Sequence, residues 1–148
     1  SLAVAIATAG IIVGAVSSTG LSNNLIIIVE AISGGNIIYL LGLTAFLCII
    51  LGMGLPTTAN YLVVAALMAN VVVEVGNASG YIFPLIAIHL FVFYYGLMAD
   101  VTPPVGLASY AAAAISKADP ISTGVQAFWY SLRTGILPFI FIFKKYFF

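Results

Sequence analysis

The stretch GLMADVTPPVG, residues 96–106, interrupts an apolar run in a way that an ordinary helix cannot accommodate. The segment before it contains one proline, one histidine and no charged residue over 82–95. Because proline has no backbone N–H, Pro103 and Pro104 each remove the donor to the carbonyl four residues earlier. The residue before each proline is also pushed out of the helical region. We therefore predict an unwound segment here, with a new half-helix starting at Pro104.

The composition identifies lipid as the solvent of this chain. Of 148 residues, 64% are hydrophobic and 5% are charged, whereas soluble domains carry about 25% charged residues. At about 20 residues per span, the length allows roughly six to seven membrane segments. The net charge is zero, which gives no indication of nucleic-acid binding. The single cysteine, Cys48, excludes a disulfide framework and a cysteine metal site.

The apolar runs and the breaker residues predict an all-α, polytopic membrane fold, organised as one transmembrane unit over 1–148. We expect a membrane helix at 1–20, an interfacial helix at 22–35, two apolar limbs at 36–76, a broken membrane helix at 80–117, an amphipathic helix at 120–133 and a membrane helix at 134–148. The amphipathic helix carries the aromatic anchor Trp129, which suits the bilayer surface, although packing between other helices is an alternative. The chain starts and stops inside apolar segments, so we expect a fragment of a longer membrane protein. Four basic residues are too few to predict its orientation.

A second break, GMGLPTTAN at residues 52–60, joins the two apolar limbs. Pro56 removes the helical donor to the carbonyl of Gly52, and Gly54 loosens the chain between them. Thr57, Thr58 and Asn60 then place hydroxyls and an amide at the start of the second limb. This is the same combination of freed carbonyls and polar side chains as in the first break.

Freed carbonyls inside a bilayer cost several kcal/mol each unless side chains, water or a cation satisfy them. Broken helices that line a cavity near the membrane midplane are typical of secondary transporters. There the carbonyls hold the coupling ion, and positive half-helix N-termini, here after Thr57 and Pro104, face an anionic substrate. A single proline kink is usually structural, but two such breaks favour a binding site.

Asp100 is the acid that the first break places inside the membrane. An ionisable residue there indicates function by default. Two roles fit: the carboxylate holds a cation, or it carries a coupling proton because burial favours its neutral form. The alternative is an interfacial acid that caps the following half-helix. We interpret His89 as a structural, hydrogen-bonded histidine, and Glu30 and Glu74 as solvated or headgroup-level side chains.

The sequence resembles the large membrane subunit of TRAP (tripartite ATP-independent periplasmic) transporters, the DctM-like subunit, and is most similar to the TAXI branch. The stretches that carry the resemblance are LGMGLPTTANYLVVAALM (51–68), LFVFYYGLMADVTPPVGLASYAAAAIS (90–116), ATAGIIVGAVSSTGLS (7–22) and TGVQAFWYSLRTGILPFIFIF (123–143). The long MADVTPPVG element is the most specific of these.

The resemblance implies an architecture and a set of partners. Residues 36–76 would form a re-entrant hairpin whose tip faces the TPP break, in the C-terminal half of an inverted-repeat, elevator-type transporter. A periplasmic TAXI-type binding protein would deliver an organic acid, and an inward sodium gradient, or protons, would drive its import. A small membrane subunit, which in this branch is often fused to the large one, would complete the permease. The location would be a bacterial or archaeal cytoplasmic membrane, in contact with lipid, with no cofactor beyond the coupling ion.

The resemblance also assigns site residues by position. The hairpin-tip positions are Gly52, Gly54, Pro56, Thr57 and Thr58; the unwound-helix positions are Thr102, Pro103, Pro104 and Gly106; Asn60 and Asp100 are further substrate- or ion-binding candidates. Sodium would be held by oxygens of Gly52, Asp100 and Thr102.

Three classes of function are alternatives to a carrier: an enzyme, an ion channel and a structural membrane subunit. An intramembrane aspartyl hydrolase needs two acids that share a proton, yet Asp100 alone lies in a membrane break. A serine hydrolase needs a base beside its nucleophile, and His89 has no evident partner of that kind. We therefore predict that the chain is not an enzyme. An ion channel, whose pore is also lined by broken helices, and a structural membrane subunit are the remaining alternatives.

Overall fold

The structure, a computed structural model, describes residues 2–54 and 57–143, and every regular element within those ranges is a helix. The helices are α1 (Leu2–Thr19), α2 (Leu21–Ser33), α3 (Ile37–Gly52), α4 (Thr57–Ala78), α5 (Leu85–Ala99), α6 (Leu107–Ser116) and α7 (Pro120–Phe143). This confirms the all-α fold class. By length and composition, α4 and α7 qualify as membrane-spanning helices among the residues described.

Glycine and asparagine residues set the boundaries of the first three helices. Gly20, with φ 67°, separates α1 from α2, and Gly34, with φ 55°, ends α2 by donating its N–H to the Glu30 carbonyl at 3.0 Å. Asn36 then caps α3, because its side-chain oxygen accepts the N–H of Ile38 at 2.9 Å. The positive φ angles explain why glycine occupies both boundaries.

The core lies around α5, which packs against α3, α4 and α7. Its centre is formed by side chains with no exposed surface: Leu41, Val64, Met68, Ile88 and Phe91. In lipid the hydrophobic effect does not favour contact between helices, so van der Waals packing and small interface residues must hold them together. Glycine and alanine at the helix contacts therefore matter more here than in a soluble core.

The boundary predicted between residues 133 and 134 is not a helix end. The predicted amphipathic helix and the following membrane segment form the single helix α7, and residues 144–148 lie outside the described part. No proline or other breaker separates Arg133 from Gly135, and Pro138 is accommodated inside the helix. One side of α7 packs on α5 and α6, while Trp129 on the other side is 65% exposed.

The half-helix after the first break begins later than expected. We predicted a start at Pro104, whereas α6 starts at Leu107. Residues 100–105 turn back on themselves, and the Gly106 N–H donates to the Thr102 carbonyl at 3.0 Å. The peptide bond between Pro103 and Pro104 is cis. Because α6 starts three residues after Pro104, the two prolines belong to a turn rather than to the first turn of α6.

Candidate functional site

The two breaks lie side by side, as the resemblance implied. Gly52 is the last residue of α3, and a Cβ atom added to it would lie 2.9 Å from the Cβ of Ala99, the last residue of α5. Gly54 has a φ of 81°, and a Cβ atom there would lie 3.4 Å from Cγ1 of Val105. The tip between α3 and α4 thus contacts both ends of the unwound segment. Pro56, the cause of the predicted tip break, lies outside the described residues together with Leu55.

Asn60 occupies a slot between two helices at the base of this tip. Its side chain has no exposed surface, and its Nδ2 donates to the carbonyl of Gly96 at 2.6 Å. A Cβ atom at Gly52 would lie 2.5 Å from Nδ2, and one at Gly96 would lie 3.3 Å from Oδ1. The two glycines therefore make the space that the amide fills. Asn60 links the second limb of the hairpin directly to α5.

The carbonyls at the end of α5 all have donors, which corrects a prediction from the sequence. A helix leaves its last four carbonyls without helical partners. Here the Gly96 carbonyl accepts from Nδ2 of Asn60 at 2.6 Å, and the Leu97 carbonyl accepts from the N–H of Asp100 at 3.1 Å. The Met98 carbonyl accepts from the N–H of Val101 at 3.2 Å and from the hydroxyl of Thr102 at 2.6 Å. The Ala99 carbonyl accepts from the N–H of Thr102 at 3.2 Å. The carbonyl of Asp100, also predicted to be freed, accepts from Ala108 N at 3.1 Å.

The turn satisfies these carbonyls because it folds the chain back toward α5. Further along, the Ser109 hydroxyl donates to the Val101 carbonyl at 3.2 Å, and the Tyr110 hydroxyl donates to the Pro104 carbonyl at 3.1 Å. A carbonyl oxygen has two lone pairs, so one hydrogen bond leaves a second direction for a cation. The break thus presents oxygens that are already oriented by hydrogen bonds.

Gly106 allows the turn to close. A Cβ atom at this position would lie 3.0 Å from the carbonyl carbon of Val101 and 3.2 Å from the carbonyl oxygens of Asp100 and Val101. These are backbone atoms of the turn itself, so they cannot move aside as a flexible side chain can. Glycine at 106 is required by close approach rather than by a positive φ.

Two side-chain oxygens at the site are buried and have no hydrogen-bond partner among the described residues: Oδ1 of Asn60 and Oδ1 of Asp100. Buried polar atoms are almost always paired, so such atoms call for an explanation. Asp100 also lies at the C-terminal end of α5, where the helix dipole disfavours a negative charge. Its backbone carbonyl, not Oδ1, receives the N–H of Ala108 near the start of α6. A bound cation, or a proton on the carboxyl group itself, would stabilise Asp100 in this position.

The remaining candidates occupy defined places. Thr57 and Thr58 are exposed in the first turn of α4. The Thr102 hydroxyl donates to the Met98 carbonyl.

His89 Nδ1 lies 3.1 Å from the hydroxyl of Tyr61, which confirms the interpretation of His89 as a hydrogen-bonded histidine. The described residues contain no cluster of three or more histidine, cysteine or acidic side chains. A cation at this site would therefore be coordinated largely by backbone and neutral side-chain oxygens.

Comparison with known families agrees with this geometry. The family model described as "Tripartite ATP-independent periplasmic transporter, DctM component" matches residues 1–146. The chain belongs to the DctM family. It is therefore a permease component of a TRAP transporter, in a family of multi-pass proteins of the cytoplasmic membrane that are transporters rather than enzymes. DctM proteins work with a periplasmic binding protein and a small subunit. No curated protein and no solved structure matches the chain.

Gly96 belongs to the candidate site, and the sequence analysis missed it. It stands four residues before Asp100, one helical turn away, inside the stretch that predicted the break. Its role appears only with the partner helix, because the Asn60 amide reaches it from 36 positions earlier in the chain. A glycine on the Asp100 side of a membrane helix was the available signal, since small residues mark close contacts between such helices.

Proposed function

We propose that this DctM chain carries one half of the substrate and ion site of a permease that imports an organic acid, driven by an inward sodium gradient. A TAXI-type binding protein would deliver the substrate from the periplasm. The observation that carries the proposal is the contact between the hairpin tip and the break, at Gly52 with Ala99 and at Gly54 with Val105.

The cation would bind where unpaired oxygens and oriented carbonyls meet. Asp100 supplies a carboxylate oxygen without a partner, and the turn supplies carbonyls whose first lone pair is already engaged. Thr102 Oγ1 and the Gly52 carbonyl complete the proposed ligand set. Sodium, a hard cation, favours oxygen ligands of this kind, as other hard cations do.

The substrate carboxylate would bind to groups that carry partial positive charge. Both α4, from Thr57, and α6, from Leu107, start next to the contact between the breaks. Helix N-termini carry partial positive charge and free N–H groups, which suit an anion. The exposed hydroxyls of Thr57 and Thr58 would add neutral donors.

Uptake into proteoliposomes tests the proposal. The full permease, with its small subunit and binding protein, is reconstituted, and sodium and proton gradients are imposed separately. The substrates to test are organic acids that raise the melting temperature of the binding protein. Saturable uptake that requires the sodium gradient supports the proposal, and uptake driven only by protons would assign Asp100 to proton coupling instead.

Two results would favour the other functional classes. Flux that does not saturate and needs no gradient would indicate a channel. Unchanged uptake after Gly54→Leu and Gly106→Leu, with normal membrane insertion, would indicate a structural subunit, because each leucine would fill space that the structure shows as occupied by the turn or its partner.

A further inference from the structure

One helix runs past the break without interruption. α7 packs against α5, which ends at the break, and against α6, which begins after it. The two half-helices are thus joined covalently only through the turn at 100–106, but both rest on the same continuous helix. Such an arrangement fixes the distance between the half-helices independently of the turn.

Gly124 is the point where α7 meets the turn. It is buried, and a Cβ atom there would lie 3.0 Å from Cγ of Pro103 and 3.6 Å from Cβ of Ser109. The proline side chain is a closed ring and cannot rotate away, so even one added methyl group must displace the turn or α7. Ser109 also donates its hydroxyl to the Val101 carbonyl, so the contact extends to the backbone of the break.

Gly135 is the other glycine of α7, and it lies close to α5. A Cβ atom there would lie 3.3 Å from Sδ of Met98, and the Gly135 carbonyl accepts the Tyr95 hydroxyl at 2.8 Å. Eleven residues separate the two glycines, which is close to three helical turns and about 16 Å, so both lie on one face of α7. A groove of about 210 Å³ also opens on this part of α7, lined by residues that include Val101 and Thr134.

We infer that Gly124 is a positioning residue: it seats α7 against Pro103 and thereby holds the turn that carries Asp100 and Thr102. The effect on transport rests on the proposed function, since it requires that the turn binds the coupling ion. The seating itself does not, because it is a contact between α7 and the turn. The two statements can therefore fail separately.

A series at position 124 tests the inference, with Gly135→Ala as the matched control. Alanine is the better helix former, so neither Gly124→Ala nor Gly135→Ala weakens α7 as a helix. The added methyl group meets a rigid proline ring at 124 but a flexible thioether at 135. We expect the apparent KM for sodium to rise from glycine to alanine to valine at 124. For Gly124→Val the rise should be roughly tenfold, equivalent to about 1.4 kcal/mol, while Gly135→Ala stays close to the unsubstituted protein.

A labelling experiment on the full permease measures the seating without transport. Val105→Cys, at a position 38% exposed in the turn, is introduced together with Cys48→Ala, and its reaction rate with a small polar maleimide is followed. We expect Gly124→Ala and Gly124→Val to change this rate progressively, and Gly135→Ala to leave it unchanged. Equal rates across the series, or an equal change with Gly135→Ala, would overturn the inference. Absence of sodium-dependent uptake in the unsubstituted permease would instead overturn the proposed function, while the labelling rates would still decide the seating.

Discussion

The amide of Asn60 donates to the Gly96 carbonyl at 2.6 Å, and through this bond the hairpin supplies the donor that the end of α5 lacks. The N–H of Asp100, which an uninterrupted helix would direct to Gly96, donates to Leu97 instead. The end of α5 at the break and the Asn60 side chain of α4 are therefore coupled through this hydrogen bond. A membrane helix can end in this way because a neighbouring side chain replaces the missing backbone donor.

Removing the Asn60 side chain should loosen the contact between the two breaks. We expect Asn60→Ala to lower the free energy of unfolding by about 1 kcal/mol, since hydrogen bonds between membrane helices contribute about 0.6 kcal/mol on average and up to about 1.7 kcal/mol. Thermal unfolding in detergent measures the change. Asn70→Ala is the control, because Asn70 lies on the same helix and is exposed. Equal melting temperatures for the two variants would contradict the assigned role of Asn60.

Gly52→Ala should damage the same contact from the opposite side. The new Cβ atom would lie 2.5 Å from Nδ2 of Asn60 and 2.9 Å from Cβ of Ala99, so the Asn60 side chain must leave its slot and α3 or α5 must also adjust. Overpacking of this kind typically costs about 1–3 kcal/mol, and we expect uptake to be lost. Gly42→Ala is the matched control on α3, since a Cβ atom there has nothing within 4 Å. Uptake is compared between Gly52→Ala and Gly42→Ala at equal amounts of protein in the membrane. Equal uptake would mean that the predicted clash at Gly52 does not affect transport.

Asp100→Asn keeps the shape of the side chain and removes its charge. If the carboxylate holds sodium, the melting temperature of the variant should no longer rise when sodium is added, and the coupling stoichiometry should change. Asp119→Asn serves as the control because Asp119 is exposed in the turn before α7, where its carboxylate accepts the N–H of Ser122. An unchanged stoichiometry for Asp100→Asn would remove Asp100 from the mechanism.

Tyr95→Phe isolates the hydrogen bond that ties α5 to α7. The buried Tyr95 hydroxyl donates to the Gly135 carbonyl at 2.8 Å, and its loss should lower stability by about 0.5–1.5 kcal/mol. Thermal unfolding measures the loss. Tyr39→Phe, at a side chain 66% exposed on α3, should have a much smaller effect. A similar result for both variants would mean that the bond adds nothing to the packing of α7.

The sequence predicted the parts of the site that depend on local chemistry. Two adjacent prolines without N–H groups predict the break at 103–104 from local chemistry, whereas the single Pro138 is accommodated inside α7. The helical class follows from an apolar composition in lipid. The donors that satisfy the carbonyls could not be predicted, because the Asn60 amide and the Ala108 N–H reach their acceptors through tertiary folding or a reversal of the chain. The continuity of α7 was missed because a change from an amphipathic to an apolar pattern resembles a boundary, although no residue there breaks a helix.

The start of α7 should depend on pH through Asp119. Its Oδ2 accepts the N–H of Ser122 at 2.7 Å, and this backbone hydrogen bond holds the pKa of the exposed carboxyl group below its usual value. A lowered pKa in the folded state means that the stabilisation is complete above the usual pKa and is lost as the pH falls through the lowered value. Amide hydrogen exchange at Ser122 and Thr123 should therefore accelerate, relative to the rest of α7, at acid pH. Asp119→Asn keeps a capping oxygen without a titratable proton and should show no such change. An equal acceleration in the unsubstituted protein and in Asp119→Asn would mean that Asp119 does not cause it.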